Sequence, residues 1–382
     1  MKVGIITITD GQNYGNRLQN YAMQEILVQY GFQVETIQRR SSRDLKGIKK
    51  IKNCCKSSLK RILSREEYTG KNLRKKVFDK FNLDYLNFSD FILENNVAPP
   101  KLKESYDFFI VGSDQVWNTR FDFIQEDIKN YLASFANSDQ KIAYAASFGT
   151  DEVLPEFEET FAKELASFKA LGIRETVGVE IVKDLCGRED ARVVLDPTMM
   201  LTKSQWEKFA KKPSYLNDEP YLVTYFLGGR NNAMEHYIHK LSMQESCKIV
   251  NLDIEFLKDA QIDNMEHFIS SPNEFVWLIQ HAKYVLTDSF HATVFSIIFQ
   301  KPFCVFSRKA TEKENNMGSR IDTLLNMFDL KKCKDDIENP SKKPEIYNEI
   351  KIDEILKHEQ EKSRTFLQNA LGIKELKERR LL

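Results

Sequence analysis

The sequence predicts an α/β protein with two similar halves, and three observations support this fold class. The chain has 382 residues, and at about 100–200 residues per domain this length favours two domains. Short apolar runs rich in β-branched residues alternate with segments of helical periodicity. Polar, glycine-containing turns separate them, as in parallel sheets whose strands are connected by helices. We therefore predict an N-terminal domain over residues 1–200 and a C-terminal domain over residues 201–382.

The composition is that of a globular protein with a full core, since 42% of the residues are hydrophobic and 29% are charged. The formal net charge of +0 gives no argument for nucleic-acid binding. The six cysteines form no Cys-x-x-Cys pair and no spacing typical of a metal site. No apolar run approaches the about 20 residues of a membrane span, and no signal peptide precedes the first strand. We therefore expect a cytoplasmic protein without a metal or other cofactor.

The N-terminal domain begins with a strand at residues 3–8, a glycine-containing turn and a helix, and a second strand follows at residues 31–37. Such a turn can present backbone N–H groups to a phosphate, although it matches neither GxGxxG nor a P-loop. Asn16 and Arg17 lie at the start of this helix and are candidate substrate-binding residues. For Arg17, an ordinary surface position is the alternative.

A basic segment follows at residues 39–80, where sixteen Lys and Arg stand against four Asp and Glu, a net charge of +12. Apolar residues between positions 48 and 62 recur on one helical face of this segment. A basic amphipathic helix can bind an anionic membrane surface or an acidic partner. A solvated insertion between sheet elements is the alternative.

Two further strands of this domain end in polar side chains suited to a ligand. The strand at residues 108–111 is followed by Ser113 and Asp114, at the carboxyl end where α/β sheets bind ligands. Asp114 could orient a sugar hydroxyl or act as a base, or it could cap the next turn. A short strand at residues 171–175 ends in the charged pair Arg174 and Glu175, and the guanidinium of Arg174 matches a phosphate or carboxylate. A salt bridge to Glu175 or another acid is the alternative for this arginine.

In the C-terminal domain, residues 284–306 read as strand, turn, helix and strand, with His291 in the turn. Ser289 suits the N-cap of this helix, and Lys301–Pro302 ends it. We place the centre of the site at His291, with a capping histidine tied to Asp288 as the alternative. The other predicted strands of this domain are residues 221–227 and 248–252, and the other predicted helices are residues 232–245, 272–280, 321–328 and 350–373.

Five segments in fixed order together resemble the polysaccharide pyruvyl transferase family. They are TDGQNYGNRLQNYAMQ, FIVGSDQVWN, GIRETVGVEIVKDL with VVLDPTMML, TDSFHATVFSIIFQKPFCVF and NMGSRIDTLL. The resemblance covers nearly the whole chain. It implies two Rossmann-like domains that face each other across a cleft, the GT-B arrangement. It also implies transfer of a pyruvyl group from phosphoenolpyruvate to two hydroxyls of one sugar, with release of phosphate. We expect the acceptor on the N-terminal domain and phosphoenolpyruvate on the C-terminal domain.

By this resemblance His291 matches the histidine of the family's C-terminal motif, and Arg174 matches the arginine of its central motif. Some members have an arginine where this chain has Ser289, and Arg17, Arg308 or Arg320 could substitute for it. A glycine often follows the histidine in the family, and the small Ala292 should fit in its place. The predicted catalytic residues are His291, Arg174 and Asp114. The predicted substrate-binding residues are Arg17, Asn16, Ser113, Ser289, Arg308 and Arg320.

The acceptor implied by the resemblance is a saccharide of a surface polysaccharide precursor. Such precursors are usually carried on a lipid at the inner face of the cytoplasmic membrane, where residues 39–80 could dock. Two other functions remain open from the sequence. One is a glycosyltransferase of the same architecture with a nucleotide-sugar donor, and the other is a non-catalytic glycan-binding protein.

Overall fold

The protein contains two parallel β-sheets flanked by helices, which confirms the predicted α/β fold class. The structure is a computed structural model and describes residues 1–9, 11–40, 70–252, 269–307 and 318–373. Among these residues, no helix combines the length and the apolar character needed to cross a bilayer.

Within the part of the chain that the structure describes, the N-terminal sheet has seven strands. They are β1 (Lys2–Ile6), β2 (Gln33–Arg39), β3 (Phe88–Leu93), β4 (Phe108–Val111), β5 (Lys141–Ala146), β6 (Ala170–Ile173) and β7 (Arg192–Val193). Their spatial order is β3-β2-β1-β4-β5-β6-β7, and all neighbours are parallel. The helices of this half are α1 (Tyr14–Gln29), α2 (Gly70–Tyr85), α3 (Asp122–Gln125), α4 (Ile128–Tyr131), α5 (Pro155–Ala166), α6 (Thr176–Cys186) and α7 (Pro197–Met200). Every residue of β4 and β5 is buried, because helices cover both faces of the sheet.

The C-terminal sheet has five strands in the described residues. They are β8 (Tyr221–Tyr225), β9 (Lys248–Asn251), β10 (Tyr284–Thr287), β11 (Phe303–Phe306) and β12 (Lys334–Asp335). The parallel order is β12-β11-β10-β8-β9. The helices are α8 (Lys203–Phe209), α9 (Asn232–Gln244), α10 (Pro272–His281), α11 (Phe290–Ile298), α12 (Ser319–Met327) and α13 (Glu349–Ala370).

Aromatic side chains join the two halves into one continuous hydrophobic core. Tyr14, the first residue of α1, stacks on Phe275 of α10 with ring centroids 4.4 Å apart. The same tyrosine lies 5.3 Å from the ring of Tyr225 at the end of β8. Aromatic pairs of this kind contribute about 0.5–1.5 kcal/mol beyond the area they bury. The start of α1 is therefore held against the C-terminal sheet, which fixes the spacing between the two halves.

Helix α13 follows the C-terminal sheet in the chain but packs on the N-terminal half. The backbone N–H of Leu195 donates to Oγ of Ser363 at 2.9 Å, and the Gln360 side chain donates to the carbonyl of Met199 at 2.6 Å. The last helix therefore ties the two halves together. The domain boundary at residue 200 stays a prediction.

The structure describes the two ends of the predicted basic segment, residues 39–40 and 70–80, and side chains from both ends are buried. Its amphipathic stretch lies in residues 41–69, outside the described residues. Arg39 ends β2, and Phe78 of α2 is 1% exposed. Arg74 of α2 is fully buried and donates to the Gln12 carbonyl and to the hydroxyl of Tyr14. Arg74 therefore supports the start of α1.

Candidate active site

A cavity of 420 Å³ lies between the two sheets, where the turns after β1 and β4 face those after β8 and β10. Carboxyl ends of parallel strands are the usual ligand sites of such sheets, and the volume suits a small ligand. The wall from the N-terminal half includes Gly11, Asn13, Asn16, Asp114, Gln115, Phe121 and Phe123. The wall from the C-terminal half includes Leu227, Ser289, Phe290, His291 and Arg320.

The first turns of two helices border this cavity from opposite sides. Asn13 caps α1 and accepts a hydrogen bond from the N–H of Gly15 at 2.8 Å. Ser289 caps α11 and accepts from the N–H of Ala292 at 3.5 Å. Ala292 itself is fully buried, so the small side chain fits where the resemblance suggested glycine. Because a helix N-terminus carries partial positive charge, the two caps together favour an anion in the cavity.

His291 is buried where the two halves meet, with 6% of its surface exposed. Its Nε2 lies 3.5 Å from Oδ2 of Asp196, which comes from the other half of the chain. Its Nδ1 faces α1 so closely that a Cβ built on Gly15 would lie 2.0 Å away. The alternative for His291 was a capping role with its side chain tied to Asp288. Asp288 instead accepts hydrogen bonds from the backbone N–H groups of two residues that follow β8. The carboxylate paired with His291 is therefore Asp196.

Asp196 connects four polar side chains behind the cavity. Its Oδ2 accepts from the hydroxyl of Ser113 at 2.6 Å and from Nη1 of Arg174 at 3.2 Å. Its Oδ1 accepts from the N–H and the hydroxyl of Thr198 and so caps α7. Burial alone would raise the pKa of Asp196, but His291, Arg174 and Ser113 outweigh it and hold that pKa far below its ordinary range. Asp196 is therefore an ionised carboxylate that orients the groups around it.

Arg174 connects Asp196 to the cavity wall. Its Nη2 lies 3.5 Å from Oδ1 of Asp114, and its guanidinium carbon lies 4.6 Å from the ring centroid of Phe290. The guanidinium carbon of Arg320 lies 6.0 Å from the same ring, so two cations meet at one aromatic side chain. Glu175, the partner considered for Arg174, accepts instead from two backbone N–H groups. The ion pairs of Arg174 are therefore with carboxylates of the site.

Asp114 has a φ of 77°, a left-handed conformation that is uncommon for a residue other than glycine. Its Oδ1 accepts from the N–H of Gln115 at 2.8 Å, and its own carbonyl accepts from the N–H of Ser147. Strained backbone of this kind persists where its surroundings fix it, often at functional sites. The turn after β4 therefore directs the carboxylate towards both Arg174 and the cavity.

The cavity brings together most of the predicted site residues that the structure describes. Those that line it are Asn16, Asp114, Ser289, His291 and Arg320. Ser113 and Arg174 lie behind the wall, joined to Asp196. Arg17 is 5% exposed and donates from Nη2 to a carbonyl oxygen in the turn before α1 at 2.8 Å. Arg308 lies outside the described residues.

The sequence did not point to Asp196 or Gly15 as site residues. Asp196 stands at the end of an apolar run in VVLDPTMML, and Asp-Pro there signals a helix start. Gly15 could be recognised only as one of several glycines in a turn. Both residues contact His291, which is distant from them in the chain. A local sequence pattern cannot reveal such a contact.

The comparison with known protein families settles which family this site belongs to. The model of polysaccharide pyruvyl transferases matches residues 13–309, which include the turns of both walls. The chain belongs to the polysaccharide pyruvyl transferase family. It is therefore a transferase that acts in polysaccharide synthesis, as the resemblance indicated. No curated protein matches it significantly.

Several solved structures are similar to this pyruvyl transferase family member, and the one with a TM-score of 0.50 supports the fold. The UDP-GlcNAc 2-epimerase from Methanocaldococcus jannaschii is 13% identical, with a TM-score of 0.50 over 94% of this chain and 92% of that chain. The Staphylococcus aureus MnaA–UDP structure is 11% identical, with a TM-score of 0.44 over 97% of each chain. The ADP-heptose heptosyltransferase II of Escherichia coli is 10% identical, with a TM-score of 0.33 over 97% and 99%. The protein has two Rossmann-like domains across a cleft, as predicted.

Contact between the halves of this family member depends on Gly15. In Gly15→Ala the new methyl would overlap the imidazole of His291, so the ring must turn away from Asp196. We expect transferase activity to fall at least tenfold and the melting temperature to fall as well, because overpacking a buried contact costs about 1–3 kcal/mol. Steady-state kinetics and thermal unfolding would measure the two effects. Gly31→Ala is the control: Gly31 has a φ of 88° with open space around its Cβ position, so this variant should lose some stability but no activity. Full activity of Gly15→Ala would contradict the close packing.

Proposed function

We propose that the protein transfers the pyruvyl group of phosphoenolpyruvate to two hydroxyls of one sugar, forming a cyclic ketal. In this reaction C3 of the donor gains a proton, and C2 forms bonds to both sugar oxygens. The bond from C2 to the phosphate oxygen breaks, and inorganic phosphate leaves. The two sugar hydroxyls lose two protons in total. C3 gains one proton, and the leaving phosphate takes up the other.

The observation that supports this most is that His291 shares one cavity with Arg320 and the N-termini of α1 and α11. Phosphoenolpyruvate carries a phosphate and a carboxylate on three carbons, so its site needs several cationic groups within a few ångströms. Imidazole titrates near neutral pH, so it can deliver a proton or a hydrogen bond to the leaving phosphate. Asp196 would hold that ring in place from behind.

The other residues take roles that follow from their positions. Arg320 would bind the donor anions from the wall beside Ser289, where some relatives have an arginine. Arg174 would hold Asp114 and Phe290 in place from behind the wall. Asp114 would accept a proton from an acceptor hydroxyl. Asn16 would donate to the substrates from α1. Ser113 and Arg17 would support the wall, since both donate to protein oxygens next to it.

Phosphoenolpyruvate should raise the melting temperature of the protein, whereas UDP-sugars and ADP-sugars should not. A ligand that binds only the folded state stabilises it by RT ln(1 + [L]/Kd), about 2.7 kcal/mol at a hundredfold excess over Kd. Thermal unfolding with each ligand would measure this, and phosphate release with a panel of glycans would then test turnover. Stabilisation by a nucleotide-sugar alone would favour a glycosyltransferase. Binding of glycans without any phosphate release would favour a non-catalytic protein.

We also propose that the acceptor is carried on a lipid at the inner face of the cytoplasmic membrane, with the protein cytoplasmic and peripheral. The support is the net charge of +12 in residues 39–80, since each basic residue near an anionic surface contributes about 1 kcal/mol. Replacing Lys49, Lys50, Lys52 and Lys56 by glutamine should weaken sedimentation with anionic vesicles while activity on a soluble acceptor is kept. Unchanged sedimentation would argue against docking through this segment.

A further inference from the structure

Two phenylalanines form an aromatic surface in the wall from the N-terminal half. Phe121 and Phe123 flank the start of the short helix α3, and both line the cavity. Their rings stack with centroids 5.4 Å apart and planes 16° apart. Ile124 between them and the core is fully buried, whereas both phenylalanines keep part of their surface exposed. Apolar rings that remain exposed in a cavity are available to a ligand.

A buried ion pair holds this aromatic surface in place. Arg39 donates from Nε to Oδ2 of Asp127 at 2.8 Å, and both side chains are at most 4% exposed. The same guanidinium donates to the carbonyl of Phe123 at 2.6 Å and lies 5.6 Å from its ring centroid. Asp127 in turn accepts from the N–H of Asn96 and from the side chain of Asn130. Contacts on the side away from the cavity therefore hold the two rings in a fixed orientation before a ligand binds.

The two walls of the cavity differ in chemistry. Among the described residues that line it, the wall from the N-terminal half has no basic side chain and combines aromatic rings with Asn13, Asn16, Asp114 and Gln115. The opposite wall has Arg320 and His291. An anionic donor is favoured at the second wall. Aromatic faces beside amide and carboxylate oxygens suit a neutral ligand with C–H groups on one face and hydroxyls around its edge.

We propose that Phe121 and Phe123 bind the acceptor, a pyranose ring whose apolar face packs on the Phe121–Phe123 pair. The partially positive C–H groups of a sugar face complement the negative face of an aromatic ring. A sugar in this position directs its edge hydroxyls towards Asp114, in the same cavity as His291. This inference rests on the proposed pyruvyl transfer and adds the subsite that binds the acceptor.

The experiment compares Phe121→Ala and Phe123→Ala with wild type in phosphate release from phosphoenolpyruvate. The acceptor is the best substrate from a panel of methyl pyranosides and short glycans. We expect KM for the acceptor to rise about tenfold or more, because a stacked aromatic ring is lost from the subsite. KM for phosphoenolpyruvate and the melting shift it produces should stay as in wild type. Phe121→Tyr, which keeps the aromatic face, should restore most of the acceptor affinity.

Phe135→Ala is the matched control. Phe135 is another partly buried phenylalanine of the same hydrophobic cluster, packed on Phe109 outside the cavity, so its loss should leave both KM values unchanged. An unchanged acceptor KM in Phe121→Ala and Phe123→Ala, with full turnover, would overturn the inference while the proposed function stands. Equal weakening of both substrates in these variants would also overturn it. No phosphate release by wild type with any acceptor would instead refute the proposed function, and this inference with it.

Discussion

Replacing Asp196 with alanine is expected to lower the free energy of unfolding by about 3–5 kcal/mol, the range seen when one partner of a buried ion pair is removed. The variant leaves the guanidinium of Arg174 buried without its carboxylate at 3.2 Å, and it removes the cap of α7. Urea unfolding at neutral pH measures the change. Asp190→Ala is the control, since Asp190 is largely exposed in its pair with Arg188, and such pairs contribute about 1 kcal/mol or less.

The pH dependence of this effect has a definite sign. The pKa of Asp196 is lowered on folding, because His291, Arg174 and Ser113 outweigh the opposing effect of burial. Its stabilising contribution is therefore fully present above the pKa of an unfolded aspartate, about 3.9, and is lost as the pH falls towards the lowered value. The stability difference between wild type and Asp196→Asn should shrink as the pH falls below about 4. A difference that grows in acid would contradict an ionised Asp196.

Replacing His291 with alanine is expected to reduce phosphate release from phosphoenolpyruvate by about 10²–10⁴-fold, the usual contribution of a general acid or base. The imidazole lines the cavity, and its Nε2 lies 3.5 Å from Oδ2 of Asp196. The effect should fall on kcat, because Arg320 and the two helix N-termini still bind the donor. Initial rates at saturating substrates measure it.

His236→Ala is the control for this prediction, because His236 lies on the exposed face of α9, away from the cavity. It should keep the wild-type rate. A loss in His291→Ala that appears only as a higher KM for phosphoenolpyruvate would assign the imidazole to binding. A wild-type rate in His291→Ala would remove it from the chemistry altogether.

The elements of the fold with clear periodicity could be predicted from the sequence. The predicted strand, turn, helix and strand of residues 284–306 appear as β10, α11 and β11. The predicted strand at residues 108–111 is β4 with the same bounds. In both places an apolar run lies between turn residues. The conformation that the local sequence favours is therefore also the one that buries the apolar side chains. The predicted helix over residues 350–373 is α13, Glu349–Ala370.

Elements that depend on distant partners were harder to predict. The strand β3, Phe88–Leu93, is an edge strand that pairs with β2, and it was not predicted. The short strand β7 was not predicted either; it ends at Val193, and Pro197 begins α7. Proline fits the first turn of a helix, which explains the stop.

The site residues also divide into those that local sequence patterns predict and those that depend on contacts distant in the chain. His291, Asp114 and Ser289 stand directly after apolar strands, so their place at a sheet edge could be inferred from the sequence. The pairing of Asp196 with His291 joins residues from the two halves of the chain. The packing of Gly15 against the imidazole is likewise a contact between halves. Local sequence patterns contain no information about such contacts.

The measurement that tests the central claim most directly follows the pyruvyl carbon itself. Phosphoenolpyruvate labelled with carbon-13 at C2 is incubated with the protein and a glycan acceptor, and the product is examined by NMR. Pyruvyl transfer predicts a new ketal carbon bonded to two oxygens of the sugar, one phosphate released for each ketal, and neither product with His291→Ala. Label that stays in phosphoenolpyruvate or appears only as free pyruvate, with every acceptor tested, would contradict the proposed transfer.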